Sequence, residues 1–136
     1  FNPDAAVSYV GEYTTIQHWY IGGHSLGGAI AASCASKNAD LFDGVVMLAA
    51  YSGSDLTKTD LKVLSVYGSN DGVLIRKTYE KDKKNLPDDF TEYVIDGGNH
   101  SQFGSYGLQK GDNNASISRD MQIAETAAQI TALINK

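Results

Sequence analysis

Apolar residues in this chain gather in four short runs, separated by segments with a longer, helical period. The runs His18 to Gly23 (Trp19, Tyr20, Ile21), Gly44 to Ala49 (Val45, Val46, Met47, Leu48) and Leu61 to Gly68 (Val63, Leu64, Val66) show little polar alternation. Short continuous apolar runs of this kind suit strands of a parallel sheet covered on both faces. Phe90 to Ile95 alternates more clearly and predicts a fourth strand. Helices are predicted over 3–14, 26–37, 74–85 and 117–134. Asn2 is a fitting N-cap for the first, with Pro3 in its opening turn and Ala5, Ala6, Val7 and Val10 as packing positions. The second is rich in Ala, Ser and Gly and flat enough to lie close against a sheet. Leu86-Pro87 ends the third. The last places Ile117, Met121, Ala124, Ala128 and Thr131 on one stripe, with Ile123, Ile130 and Ile134 beside it. Strands alternating with helices predict an α/β domain, a mostly parallel sheet flanked by helices, with residues 1–136 forming a single domain.

In such sheets functional residues collect in the loops after the carboxyl ends of strands. Three loops qualify. The first strand runs into Gly23-His24-Ser25-Leu26-Gly27, which fits the G-x-S-x-G pattern of a nucleophile elbow. A serine at such an apex sits in a strained backbone, and Gly23 and Gly27 let strand and helix pass close together so that the hydroxyl stays exposed. Gly68-Ser69-Asn70-Asp71-Gly72 follows the third strand, and Asp96-Gly97-Gly98-Asn99-His100 the fourth. A serine hydroxyl needs a base to take its proton, and a histidine serves only when a carboxylate holds its tautomer and orientation. Ser25, His100 and Asp71 are therefore the candidate nucleophile, base and acid. Asp55 and Asp60, after the second strand, are the alternatives for the acid, whereas Asp96 lies too near its strand. His18 falls on the opposite edge of the sheet and reads as structural. His24 is a packing or hydrogen-bonding residue beside the nucleophile. The Leu26 backbone N–H, at the positive end of its helix, is the candidate oxyanion donor. A second donor normally comes from a loop after an earlier strand, and the sequence offers no such loop.

Composition narrows the partners. A chain of 136 residues with 42% hydrophobic and 20% charged residues is that of a globular protein of one domain. The net charge of -5 disfavours nucleic acid and anionic membranes. Lys81, Lys83 and Lys84 are offset by Glu80, Asp82, Asp88 and Asp89, as on a solvated face. The single cysteine, Cys34, excludes an internal disulfide and a cysteine-based zinc site, and its small neighbours make it a helix-packing residue. No apolar run reaches bilayer length, and the compartment stays open. Nothing in the sequence calls for a metal or organic cofactor. The chain opens on Phe1 and runs directly into helix signals, which leads us to expect a fragment, a processed product or a trimmed piece.

Three segments carry a resemblance to the α/β-hydrolase family: Trp19 to Gly28, Val66 to Asp71, and Gly97 to Gly104. The order serine, aspartate, histidine is also that family's order. The likeness is closest to the dienelactone-hydrolase-like and carboxylesterase-like group of small bacterial hydrolases. It implies that the four strands are strands five to eight of an eight-stranded sheet. The first four strands and the loop with the second oxyanion donor would then belong to a missing N-terminal half, in the same gene product or a second chain. Without that half, Trp19, Tyr20 and Ile21 would lie on a bare sheet edge. The short connection from Ala50 to Asp60 leaves no room for a cap domain, so the site is expected to be open and suited to small or water-soluble esters. The loop from Phe103 to Ala115 is expected to cover the sheet. The implied function is a serine hydrolase that cleaves a small-molecule acyl ester through an acyl-enzyme, with thioesterase, peptidase and acyltransferase chemistry left open. The competing reading is a non-catalytic half-domain that only binds or assembles. A dimer is left open.

Overall fold

Four strands form one fully parallel sheet in the computed structural model, which describes residues 2–136. In chain order the elements are α1 (Ala5–Glu12), β1 (Tyr20–His24), α2 (Leu26–Lys37), β2 (Gly44–Leu48), β3 (Lys62–Gly68), α3 (Arg76–Asp82), β4 (Thr91–Ile95) and α4 (Arg119–Ile134), with short 3-10 turns at Ala39–Leu41, Lys83–Asn85 and Ser101–Phe103. The strands lie in sequence order, with Ile21 opposite Val45, Val45 opposite Val63, and Val66 opposite Tyr93. Because every strand points the same way, the turns after β1, β3 and β4 open on one edge. The β2–β3 connection carries no helix, so no cap rises there.

The alternation of side chains along each strand splits the core between the two faces. Val45, Met47 and Val63 face α2 and join Ala32, Cys34, Ala35 and Leu56; Val46, Leu64, Val66 and Ile95 face α4 and join Leu133. Cys34 is fully buried, as the packing reading expects. The small side chains of α2 bring it against both β1 and β2, while α4 lies over β3 and β4. On α3, Tyr79 is buried. Its hydroxyl donates to Glu92 Oε2 at 2.6 Å and lies 2.9 Å from Ser65 Oγ, and Lys83 closes the network on Glu92 at 2.7 Å. Burial and the Glu92 carboxylate push the Tyr79 phenol far above its usual range, so it is a neutral structural hydroxyl.

Three expectations need correction. The first helix starts later than predicted: Asp4 is its N-cap residue, Asn2 Oδ1 accepts the Asp4 N–H at 3.1 Å, and Ala5 is exposed. On α4 the inward residues are Gln122, Thr126 and Leu133, whereas Met121 and Ile123 are exposed. A polar anchor shifts the phase: buried Gln122 accepts the Asn99 N–H at 3.1 Å and donates to the Asn99 carbonyl at 2.8 Å, which turns its face of the helix inward. Tyr20 and Ile21 of β1, with Trp19 just before it, are half-buried against the core instead of exposed, although the outer edge of β1 has no strand beside it.

Gln122 thus ties the loop after β4 to α4. Gln122→Ala would leave the buried Asn99 N–H without its partner and lower stability by about 1–3 kcal/mol. Urea unfolding checks this, and an unchanged midpoint would show that the bonds contribute nothing.

Candidate active site

The three candidate residues occupy three turns at the carboxyl edge of the sheet. Ser25 lies between β1 and α2 as the N-cap residue of the helix, with φ 55° and ψ -125°, one of only two non-glycine residues with positive φ among those described. A serine held in that region stores backbone strain, and the surrounding contacts must enforce it. Its N–H donates to the Leu48 carbonyl at 2.9 Å, and its own carbonyl accepts from the N–H groups of Gly28 and Ala29. The enforcing contact is between backbones. A Cβ on Gly23 would lie 2.4 Å from the Gly27 backbone, and one on Gly28 would lie 2.6 Å from the Ala50 Cβ and 2.7 Å from the Gly23 carbonyl oxygen. A Cβ on Gly27 meets nothing within 4 Å. Crowding that demands glycine therefore falls at Gly23 and Gly28, and the spacing role expected of a missing Gly27 side chain does not hold. The G-x-S-x-G pattern hides this because the helix face turned toward β1 and β2 carries the third residue after the serine.

Asp71 and His100 meet through a second close approach. A Cβ on Gly68, at the end of β3, would lie 2.2 Å from the Gly98 carbonyl carbon, so the two loops touch backbone to backbone. The Asn70 N–H donates to the Gly98 carbonyl at 2.8 Å and fixes that contact. Asp71 Oδ2 then lies 2.9 Å from His100 Nδ1, with side-chain exposures of 0% for the aspartate and 1% for the histidine. The other oxygen, Oδ1, accepts the N–H groups of Val73 at 2.8 Å and Leu74 at 2.7 Å. An ionised carboxylate only accepts, so Nδ1 carries the proton in this pair and Nε2 keeps its lone pair. Nε2 is buried and has no hydrogen-bond partner among the described residues. Ser25 and His100 line one cavity of about 280 Å³, together with Leu26, Tyr51, Leu74 and Ile75. Leu26 is the first residue of α2, where N–H groups have no intrahelical acceptor. A larger hollow of about 460 Å³, bordered by Gln102, Asn114 and Arg119, lies behind the histidine loop and contains neither Ser25 nor His100.

The remaining candidates fall elsewhere. His18 pairs with Asp43 at 3.1 Å, before β1 and so at the far edge of the sheet. Asp55 is exposed and bonds Thr57, Asp60 is exposed, and the Asp96 carboxylate lies 3.5 Å from Ser69 Oγ. His24 packs its ring on His100, with centroids 4.5 Å apart, and also faces Phe103 and Tyr106. Burial, and then the charge of the adjacent His100, push the His24 imidazole below its usual range, against weaker upward pulls from the His100 backbone, Asp71 and Asp112. The loop 103–115 does more than cover the sheet: Asp112 accepts hydrogen bonds from both Gly72 and His100. Nothing in the sequence pattern set this aspartate apart from any other loop aspartate.

The chain belongs to the alpha/beta hydrolase family, whose sequence profile matches residues 1–124. Among solved structures, the predicted CIB-like hydrolase from Thermoplasma acidophilum superposes with a TM-score of 0.63 at 17% identity, over 95% of this chain and 59% of that one. Est1E from Butyrivibrio proteoclasticus gives 0.68 at 15% identity, over 97% and 68%. The monoacylglycerol lipase of Paleococcus ferrophilus gives 0.68 at 12%, over 98% and 74%. These superpositions establish a shared fold. The chain spans 59% of the length of the T. acidophilum hydrolase. No curated protein matches the sequence.

Two outcomes follow from this geometry. Gly23→Ala should destabilise the protein by about 1–3 kcal/mol through overpacking, while Gly27→Ala should be neutral or slightly stabilising. Equal midpoints in guanidinium would contradict the crowding. For His24, the folded-state pKa lies below the unfolded value of 6.5, so the unfolded chain binds more protons as the pH falls. Its neutral burial is therefore fully accommodated above about pH 6.5 and costs stability below it. Thermal melts from pH 7.5 to 5 should show a shallower decline for His24→Phe than for wild type, and parallel declines would refute it.

Proposed function

We propose that this protein is a serine hydrolase that cleaves an acyl ester through a covalent acyl-enzyme. Ser25 Oγ attacks the carbonyl carbon while His100 Nε2 takes the hydroxyl proton. Negative charge on the former carbonyl oxygen is met by the Leu26 N–H. His100 returns the proton to the departing alkoxy oxygen, and the alcohol leaves. Water then repeats the sequence: Nε2 takes its proton, the oxygen attacks the acyl carbon, and Ser25 recovers its proton as the acid departs. The observation that carries this reading is the buried His100 ring, bonded through Nδ1 to Asp71 and bare at Nε2, on a cavity shared with Ser25. The Asp71 carboxylate favours the imidazolium that forms in each step.

The substrate is a small ester with a short acyl group. A cavity of about 280 Å³ with the apolar walls Ala29, Tyr51, Leu74 and Ile75 supports this, as does the helix-free β2–β3 connection. Est1E has been solved with ferulic acid bound, and the P. ferrophilus protein is a monoacylglycerol lipase. Such different ligands leave the choice of acyl group to the cavity. In the same proposal, the free edge of β1 is covered by further strands of a longer polypeptide or a second chain, which also supplies the second oxyanion donor. The unpaired edge, and the exposed Tyr9, Tyr13 and Ile16 in the segment that leads into β1, support this part.

Hydrolysis of p-nitrophenyl acetate tests the reading. Ser25→Ala should fall to the buffer rate, and Asp71→Asn should lower kcat by about 10⁴-fold. Turnover that survives Ser25→Ala would refute the proposal. A missing oxyanion donor lowers the rate by about 10²–10³-fold. A folded wild-type chain with no turnover at all would favour the non-catalytic half-domain.

A further inference from the structure

The loop between the 3-10 turn at Ser101–Phe103 and α4 returns across the two turns that hold Asp71 and His100. Its contact with them centres on one carboxylate. Asp112 Oδ1 accepts the N–H of Gly72 at 3.0 Å, of His100 at 3.3 Å and of Asn113 at 2.9 Å. Oδ2 accepts the Ser101 N–H at 2.8 Å and the Ser101 hydroxyl at 2.6 Å. Gly72 directly follows Asp71, and His100 and Ser101 include the histidine itself, so one side chain grips the backbone of both partners. The surrounding loop tightens the same grip. Asn99 Nδ2 donates to the Asn113 carbonyl at 2.8 Å, and Ser101 Oγ accepts the Gln109 N–H at 2.8 Å. A Cβ on Gly72 would lie 2.6 Å from the Gly111 carbonyl oxygen, so the loop sits hard against the acid turn.

Without this carboxylate, three backbone N–H groups on two separate turns would lose a shared acceptor. Gln122 anchors the histidine loop through Asn99 and Gln102. Asp112 is thus a side chain from outside both turns that bonds directly to each, beside the Ser69 and Asn70 bonds by which the turns hold one another. We propose that Asp112 is a positioning residue, a clasp that sets the distance and angle between the Asp71 carboxylate and the His100 ring. Its carboxylate touches no reacting atom and acts only through the two turns. This inference rests on the serine hydrolase reading for its consequence in catalysis, while the clasp itself stands on the geometry of Asp71 and His100.

The test compares wild type with Asp112→Asn and Asp112→Ala. The tautomer of the His100 ring is read by ¹⁵N–¹H NMR, next to p-nitrophenyl acetate kinetics and thermal unfolding. Wild type should show a single tautomer, protonated at Nδ1. Asp112→Ala should show a mixture of tautomers, with kcat lowered by about 10–100-fold and KM unchanged, the size expected of a small misplacement. Asp112→Asn keeps one acceptor oxygen and should fall between the two. Wild-type ring signals in both variants would overturn the proposal, even if their melting temperatures drop. So would loss of fold in both variants, which would make the carboxylate a support of the whole domain. Ser25→Ala, carried in parallel, should keep the wild-type tautomer. If that variant also keeps turnover, the hydrolase reading fails while the ring signals still decide for or against the clasp.

Discussion

A carboxylate buried away from water needs hydrogen-bond donors for its oxygens, and Asp71 has three. Two are backbone N–H groups of its own turn, Val73 and Leu74, and the third is the His100 ring. The two N–H groups fix the carboxylate so that one oxygen remains for the histidine. The histidine in turn is left with one free nitrogen and one possible proton position. Everything proposed about chemistry at this edge starts from that allocation of lone pairs. Replacing the water around two buried polar groups with fixed partners also explains why the surrounding loops are so heavily bonded.

The allocation depends on backbones approaching more closely than side chains permit. Gly23 and Gly28 let α2 close on β1 behind Ser25, and Gly68 lets the acid turn touch Gly98 of the histidine loop. Each site uses an absent side chain to place a present one. Parallel strand order does the rest, since it sends all three turns to one edge. The strain at Ser25, with φ 55°, is held by the Leu48 carbonyl on one side and by the first turn of α2 on the other.

Much of this was legible in the residues. Apolar runs without alternation marked the buried strands, because a sheet covered on both faces has no polar side to display. The strand–helix order alone places the three turns on one edge, and with them Ser25, Asp71 and His100. Less legible was anything decided by a polar group in an apolar place. Gln122 set the phase of α4 against the pattern of its isoleucines, since two buried hydrogen bonds to Asn99 outweigh a few exposed methyl groups. Gly28 was hidden behind a pattern written around Gly27. Asp112 had no signal, because only the folded loop reveals which backbone N–H groups converge on it.

The most direct measurement is a crystal structure of the protein after reaction with a small alkyl fluorophosphonate. The predicted result is phosphorus bonded to Ser25 Oγ, the phosphonyl oxygen accepting the Leu26 N–H, and His100 Nε2 within hydrogen-bonding distance of the adduct while Nδ1 stays on Asp71. An adduct on another side chain, or one on Ser25 with the His100 ring beyond reach, would contradict the central claim.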